Sequence, residues 1–410
     1  MVSHSSELSK MSILHKKTKE KTMLETLAAA PAAEQQAEGY ADTLREILQQ
    51  PATWKDTFDL LHSTIVQQRV AKAIEPRPMH IVLTGSGSSM YIGECLAPIL
   101  QSGLGVPVQA IAAGTLLTHW DSVLPQGPGL LISLARSGDS PESGGVVSTL
   151  LAEAPQWRHL VITCNADGKL ATQYNNDPRV TVLVLDERTN DRSLVMTSSF
   201  TNLLLGGTAL LQRTRDAMVE DAIDQAASNV RRVFDTSSDS VAALAQRDIA
   251  SVVYLGSGPA FGAAREGALK MLEMTGGRVV TMAETFLGLR HGPMSFIHPS
   301  TLIVALLSPK ADVRRYELDV LREVSRKRLG LAKLIVGADV PSEVISVNDV
   351  YVDAPFATSN ADTAAVLTDV VATQLLAFFR CLHLGCKPDA PSEGVLTRVV
   401  EDFAIHGASP

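Results

Sequence analysis

The chain has 410 residues, 45% apolar and 20% charged, with a net charge of −8 from 36 basic and 44 acidic residues. That length allows two or three domains with sizeable cores, and an acidic chain without a long basic run excludes nucleic-acid binding by charge alone. Four cysteines, Cys95, Cys164, Cys381 and Cys386, show no paired C-x-x-C spacing. This excludes a zinc knuckle or disulfide framework and fits reduced core thiols in a cytoplasmic protein.

In chain order, residues 1–40 read as a loose tail. Lys16, Lys17, Lys19 and Lys21 precede no apolar h-region, so no signal peptide is expected, and Met11 and Met23 are alternative starts. Residues 41–75 read as helices capping a first lobe at 76–215, whose strands are expected at His80–Thr84, Gly129–Leu134, Leu160–Cys164 and Val180–Leu185. Residues 216–247 read as an interlobe helix and linker. The second lobe, 248–410 with a C-terminal tail, has expected strands at Ser251–Leu255, Leu302–Leu307, Lys333–Val336 and Asp349–Val352. Helical periods at Gly144–Glu153, Gly262–Met274 and Arg314–Arg328 alternate with these apolar runs. The pattern predicts an α/β protein made of two tandem, doubly wound parallel sheets. Two uncharged stretches, Cys95–Trp120 and Ser193–Gln212, carry prolines, glycines and hydroxyl residues that face lipid poorly, so both read as buried segments and no membrane partner is expected.

The lobes repeat one another. Val82–Met90 reads VLTGSGSSM and Val253–Phe261 reads VYLGSGPAF, with Gly85 and Gly256 separated by 171 residues. A strand ending in Gly-Ser-Gly ahead of a helix offers backbone N–H groups and hydroxyls to an anion, most often a phosphate. A second loop, Ala135–Ser143 (ARSGDSPES), brings Arg136, Ser137, Ser140 and Ser143 to a helix start. With Ser86, Ser88 and Ser89 they suit a dianionic phosphate. The same residues also cap helices without any ligand. The second lobe's counterpart, Ser308–Arg314 (SPKADVR), has lost the hydroxyls and offers acid–base groups elsewhere. Glu266, Lys270 and Glu273 share one helix face, as reactive groups or as a solvated ion pair. His291 lies on the constrained loop FLGLRHGP, as a catalytic or a structural histidine. No cluster has metal-ligand spacing, so neither metal nor cofactor is expected.

Taken together, GSGSS, ARSGDSPES, GSGPAFGAAREGALKMLE and GLRHGP resemble the tandem sugar isomerase (SIS) family from about residue 50 onward. The segments RSGDSPES, ITCNADG, DRSLVMTSSFT, FLGLRHGP and PDAPSEGVLTRVVEDFAIH are most similar to its branch of galactosamine-6-phosphate deaminase/isomerases, also called tagatose-6-phosphate ketose/aldose isomerases. The resemblance implies that Ser88, Ser89, Ser137 and Ser140 hold a sugar phosphate, with Arg136 beside them. It implies that Glu273 moves a proton between C1 and C2, that Lys270 supports it, and that His291 opens the sugar ring from a neighbouring subunit, hence a homodimer at least. The synthase branch of the family has Ser and Gln where Ala135 and Arg136 stand. Its C-terminal active-site Lys has no match here, and Thr397 and Arg398 occupy that neighbourhood. The Glu273–His291 spacing is two residues longer. No amidotransferase domain precedes the SIS pair, which is consistent with ammonia release. The expected reaction is conversion of galactosamine 6-phosphate to tagatose 6-phosphate and ammonia. The alternatives are a plain ketose/aldose isomerase and a non-catalytic sugar-phosphate sensor.

Overall fold

The computed structural model describes residues 21–212, 216–357, 361–392, 394–398 and 404–406. Ten strands form two parallel sheets. The first comprises β1 (His80–Thr84), β2 (Val108–Ala110), β3 (Gly129–Ala135), β4 (Arg158–Thr163) and β5 (Val180–Val184), in the order β2-β1-β3-β4-β5. The second comprises β6 (Ser251–Leu255), β7 (Val280–Glu284), β8 (Thr301–Leu306), β9 (Ala332–Gly337) and β10 (Val350–Asp353), in the order β10-β9-β8-β6-β7. Read from β7, that is the same winding, so the duplication extends to topology. The eight expected strands lie within a residue or two of their predicted bounds. β2 and β7 are additional edge strands, and each places the switch in strand order between the first and third strands of its lobe. A doubly wound sheet opens its ligand crevice there, at the carboxyl ends.

The two Gly-Ser-Gly turns have one geometry. Gly87 has φ 55° and ψ −127°, and Gly258 has φ 55° and ψ −126°. Positive φ without strain requires glycine at both. The helices that follow, Ser88–Leu104 and Pro259–Met274, pack on each other across the lobe boundary. A Cβ placed on Gly262 would lie 2.6 Å from Cys95 Sγ and 2.7 Å from Cys95 N, so the absent side chain sets their separation. One apolar cluster runs through this contact, from Leu83, Ile92 and Leu96 to Ala263, Met271 and Leu375. The Asp362–His383 helix, long and apolar enough to cross a membrane, has 94% of its most apolar window buried inside the protein. Of the two uncharged stretches expected to be buried, Ser193–Gln212 is, with every residue of the Ser198–Gly207 helix buried, whereas Cys95–Trp120 runs along the surface through parts of two helices and β2, with Pro98, Gly103, Gly105 and Pro107 exposed.

The N-terminal region corrects one expectation. Residues 1–20 lie outside the described residues, but Met23–Ala29 and Ala32–Glu38 are helices rather than loose tail. Thr22 and Glu25 form a capping box, Leu24 is buried, and the Met23 N–H donates to Asp239 Oδ1 at 2.7 Å. The helix expected between the lobes is present, and residues 217–245 are helical throughout and buried along one side. The Ala41–Leu61 helix has no side-chain cap of its own. Asp389 supplies it from the C-terminal segment, accepting the Thr43 N–H and hydroxyl at 2.7 Å each.

Candidate active site

The first crevice lies at the ends of β1 and β3. Ser88 and Ser89 open the helix after the glycine turn and are buried. The loop after β3 turns at Gly138 (φ 72°), with Ser137 Oγ accepting the Asp139 N–H at 3.3 Å and Ser140 Oγ bonded to Ser143 Oγ at 2.8 Å. Asn165 Nδ2 donates to the Ser137 carbonyl at 2.9 Å, and the Lys169 N–H donates to Asp139 Oδ1, so ITCNADG pins this loop from behind. Ser140 is the N-cap of the Pro141–Glu153 helix without a side-chain capping bond, which leaves the helix's first N–H groups to be satisfied from the crevice.

Arg136 is placed differently from expectation. Its Nη1 donates to the carbonyls of Ser193 and Leu194 (3.3 and 2.9 Å) and its Nη2 to the carbonyl of Arg398 (2.5 Å). The guanidinium braces the crevice wall, and a phosphate would meet its charge more than its donors. Arg398 likewise turns away, donating to the Asp191 carbonyl and to Asn190 Oδ1. It fastens the C-terminal segment across the first lobe. Further along, Ile405 seats on the Pro141–Glu153 helix, 3.3 Å from where a Gly145 Cβ would stand.

The opposite wall is the Pro259–Met274 helix. Glu266 and Lys270 are fully buried in it, and Glu273 keeps 20% of its side chain exposed. Lys270 Nζ lies 2.5 Å from Glu273 Oε2 and 3.4 Å from Glu266 Oε1, and Ser88 Oγ donates to Glu266 Oε1 at 3.1 Å. A continuous polar chain thus runs Ser88–Glu266–Lys270–Glu273, from the phosphate-type turn of one lobe to the carboxylate helix of the other. The solvated ion pair that helical spacing alone allows is excluded by this burial. Burial, reinforced by the charge of Glu273 and opposed by Lys270 and Ser88, pushes the Glu266 carboxyl up to about 7. Burial alone would lower Lys270, but Glu266 and Glu273 outweigh it and hold the ammonium above the ordinary lysine value. Glu266 Oε2 is buried without a hydrogen-bond partner. Sequence reasoning set Glu266 in the pattern but not among the site residues. Its i, i+4, i+7 spacing is the signal that finds it.

His291 is not brought to this chain. It is exposed on the loop after β7, its N–H on the Gly288 carbonyl, and among the described residues no hydrogen bond joins its ring to Glu273 or Lys270. Sequence reasoning also left open what DRSLVMTSSFT does. Asp191 accepts the Thr197 and Ser199 N–H groups and the Ser198 and Ser199 hydroxyls at 2.5–2.8 Å, while Glu46 accepts the Arg192 N–H at 2.6 Å. This buried knot holds the loop whose carbonyls receive Arg136 and whose Met196 touches Ser89.

The second crevice is not a copy. Pro259 and Ala260 stand where the first turn has Ser88 and Ser89. The Ser308 N–H donates to Glu317 Oε2 at 2.8 Å, and the Ser257 hydroxyl also bonds this carboxylate. Glu317 is a built-in anion on donors of the same kind that the first lobe leaves free. Among the described residues, no group of three or more metal-ligating side chains gathers.

Two parallel sheets fused through their post-turn helices, with a hydroxyl-lined crevice facing a buried carboxylate–lysine chain, define a phosphosugar-isomerase (SIS) protein. No family model matches the chain. An AgaS protein of Streptomyces coelicolor is 36% identical over 375 residues, covering 89% of this chain and 95% of that one. The D-galactosamine-6-phosphate deaminase AgaS of Escherichia coli O157:H7 is 32% identical over 371 residues, with the same coverage. The crystal structure of tagatose-6-phosphate ketose/aldose isomerase from Escherichia coli superposes with a TM-score of 0.80 at 30% identity, covering 92% of this chain and 98% of that one. The chain belongs to the AgaS family of D-galactosamine-6-phosphate deaminases.

Proposed function

We propose that this protein converts galactosamine 6-phosphate and water to tagatose 6-phosphate and ammonia, as a C–N hydrolase of the cytoplasm. The observation that carries the reading is the buried Ser88–Glu266–Lys270–Glu273 chain, which links a phosphate-type crevice to a partly exposed carboxylate. The sugar phosphate rests on Ser89, Ser137, Ser140 and the helix N–H groups. Remote binding of this kind orients C1 and C2 against the opposite wall. Glu273 takes the C2 proton of the open-chain 2-amino aldehyde and returns it to C1. The enolamine becomes a C2 ketimine, water adds to C2, and ammonia leaves to give the 2-ketose. Lys270 pairs with Glu273 and aims it. Glu266, with its carboxyl near neutrality, backs Lys270 from inside the helix wall. Arg136 and Arg398 position the wall and tail rather than touch the sugar. His291 opens the ring from a second copy of the chain, so the working unit is a homodimer.

The test is purified protein with galactosamine 6-phosphate, glucosamine 6-phosphate and tagatose 6-phosphate, measuring ammonia and ketose separately. Stoichiometric ammonia with tagatose 6-phosphate from the galacto epimer is the expected result. The name of the Escherichia coli structural relative favours one second reading, a plain ketose/aldose isomerase. Ketose interconversion without ammonia from either hexosamine phosphate would select it.

A further inference from the structure

The reaction leaves the motif PDAPSEG without a task, yet this segment touches both walls of the crevice. It begins in a tight turn, closed by the Ala390 N–H on the Lys387 carbonyl at 3.1 Å, with buried Pro388 at the second position. Asp389 fixes that turn through every polar atom it has. Its N–H donates to the Gly39 carbonyl at 2.8 Å, and its carbonyl accepts the Leu194 N–H at 3.0 Å. Its Oδ1 accepts the Thr43 N–H and hydroxyl, and its Oδ2 accepts the Asp42 N–H at 3.2 Å. Capping a helix start needs only the side chain. The backbone bonds go further, because Leu194 belongs to the wall loop whose carbonyls receive Arg136.

Three residues on, Ser392 Oγ donates to the Glu273 carbonyl at 3.3 Å. The Pro259–Met274 helix needs support there. Its last turn carries Glu273, and the chain then passes through Thr275 to Gly276 and Gly277, at φ 57° and 73°, which have no side chains to anchor it. The opposite wall has its own internal brace in Asp191 and Glu46. A loosened 388–392 turn would therefore be felt first at Glu273.

We propose that Asp389 is a positioning residue for catalysis. It locks the 388–392 turn to the phosphate-side wall, and through Ser392 that turn holds the last turn of the opposite helix, so that Glu273 stands at working distance from a sugar seated on the phosphate crevice. A carboxylate that serves two adjacent carbons tolerates little displacement. The inference rests on the proton-transfer role proposed for Glu273.

The experiment measures steady-state kinetics and solvent deuterium exchange at C2 of galactosamine 6-phosphate, on the full chain and well below its melting midpoint. Asp389→Ala should lower kcat and the exchange rate by about ten- to a hundred-fold, with KM changed by less than about two-fold. Asp389→Asn should recover most of that loss, because an amide oxygen still accepts the Thr43 N–H and hydroxyl. Ser392→Ala should lower kcat by about three-fold or more, again without a matching change in KM, and it decides the matter should Asp389→Ala not fold. A rise in KM at unchanged kcat reduces the turn to a structural role and overturns the proposal. Slow exchange in Glu273→Gln beside wild-type kcat in Asp389→Ala and Ser392→Ala overturns this inference alone. No exchange in the wild type, or wild-type exchange in Glu273→Gln, overturns the proposed reaction and this inference with it.

Discussion

Glu266 and Glu273 lie on one face of one helix and differ in what surrounds them. Glu266 is sealed against Ser88 and Lys270, while Glu273 keeps part of its side chain in solvent. Glu273→Gln should lower kcat by about 10²–10⁴-fold while phosphate-ligand binding persists. Loss of solvent deuterium exchange at C2 checks the assignment, and wild-type exchange in the variant would move the base to another residue. Ser137→Ala should raise KM and lower kcat/KM by about ten-fold or more, with the thermal midpoint little changed, as steady-state kinetics and a melting curve will show. Arg136 marks the limit of reading a residue from its type. Its charge beside serines reads as an anion ligand, but its donors are taken by carbonyls of residues 193, 194 and 398, which only the folded chain brings near it. His291 marks the same limit, since the exposed position it holds in one chain is invisible in a motif.

At the scale of elements, the contact that matters is the crossing of the two post-turn helices. Gly262 lets Cys95 approach closely enough for Ser88 to reach Glu266, and Arg265 and Glu94, themselves 171 residues apart, pair beside it. Gly262→Ala places a methyl group at 2.6–2.8 Å from Cys95 and Tyr91 backbone and sulfur atoms. It should cost about 1–3 kcal/mol. A lower midpoint in urea together with reduced kcat is the expected pair of readouts, because the gap opens on the Ser88 side. Two of the four edge strands, β2 and β7, were the elements that sequence periodicity could not find. β2 is three residues behind Pro107, and β7 reads VTMAE with Val280 exposed, so neither presents the continuous apolar run of a central strand. The central strands did, because both of their faces are covered.

Over the whole molecule, Glu46, Glu266 and Glu317 are each pushed up to about 7 from 4.5, by burial first in every case. A carboxyl raised in the folded state contributes stability that is complete below its unfolded pKa and is lost as pH rises through the folded one. These three groups should therefore pull stability down between about pH 4.5 and 7, and Glu46→Gln should flatten part of that slope in melts recorded at intervals of pH. If His291 serves a partner's site, mixing inactive Glu273→Gln and His291→Asn proteins under subunit exchange should restore roughly a quarter of wild-type activity, the statistical share of intact sites in a shuffled dimer. No recovery with exchange verified would return His291 to its own chain.

A fold written twice leads one to expect two equivalents of ligand. Glu317 removes one of them, because its carboxylate already rests on the Ser308 N–H that an incoming phosphate would need. Calorimetric titration with a non-reacting sugar phosphate should reach its endpoint at one molecule per chain. Glu317→Ala, by emptying the second turn, is the change that would let inorganic phosphate register there as a second, weaker step.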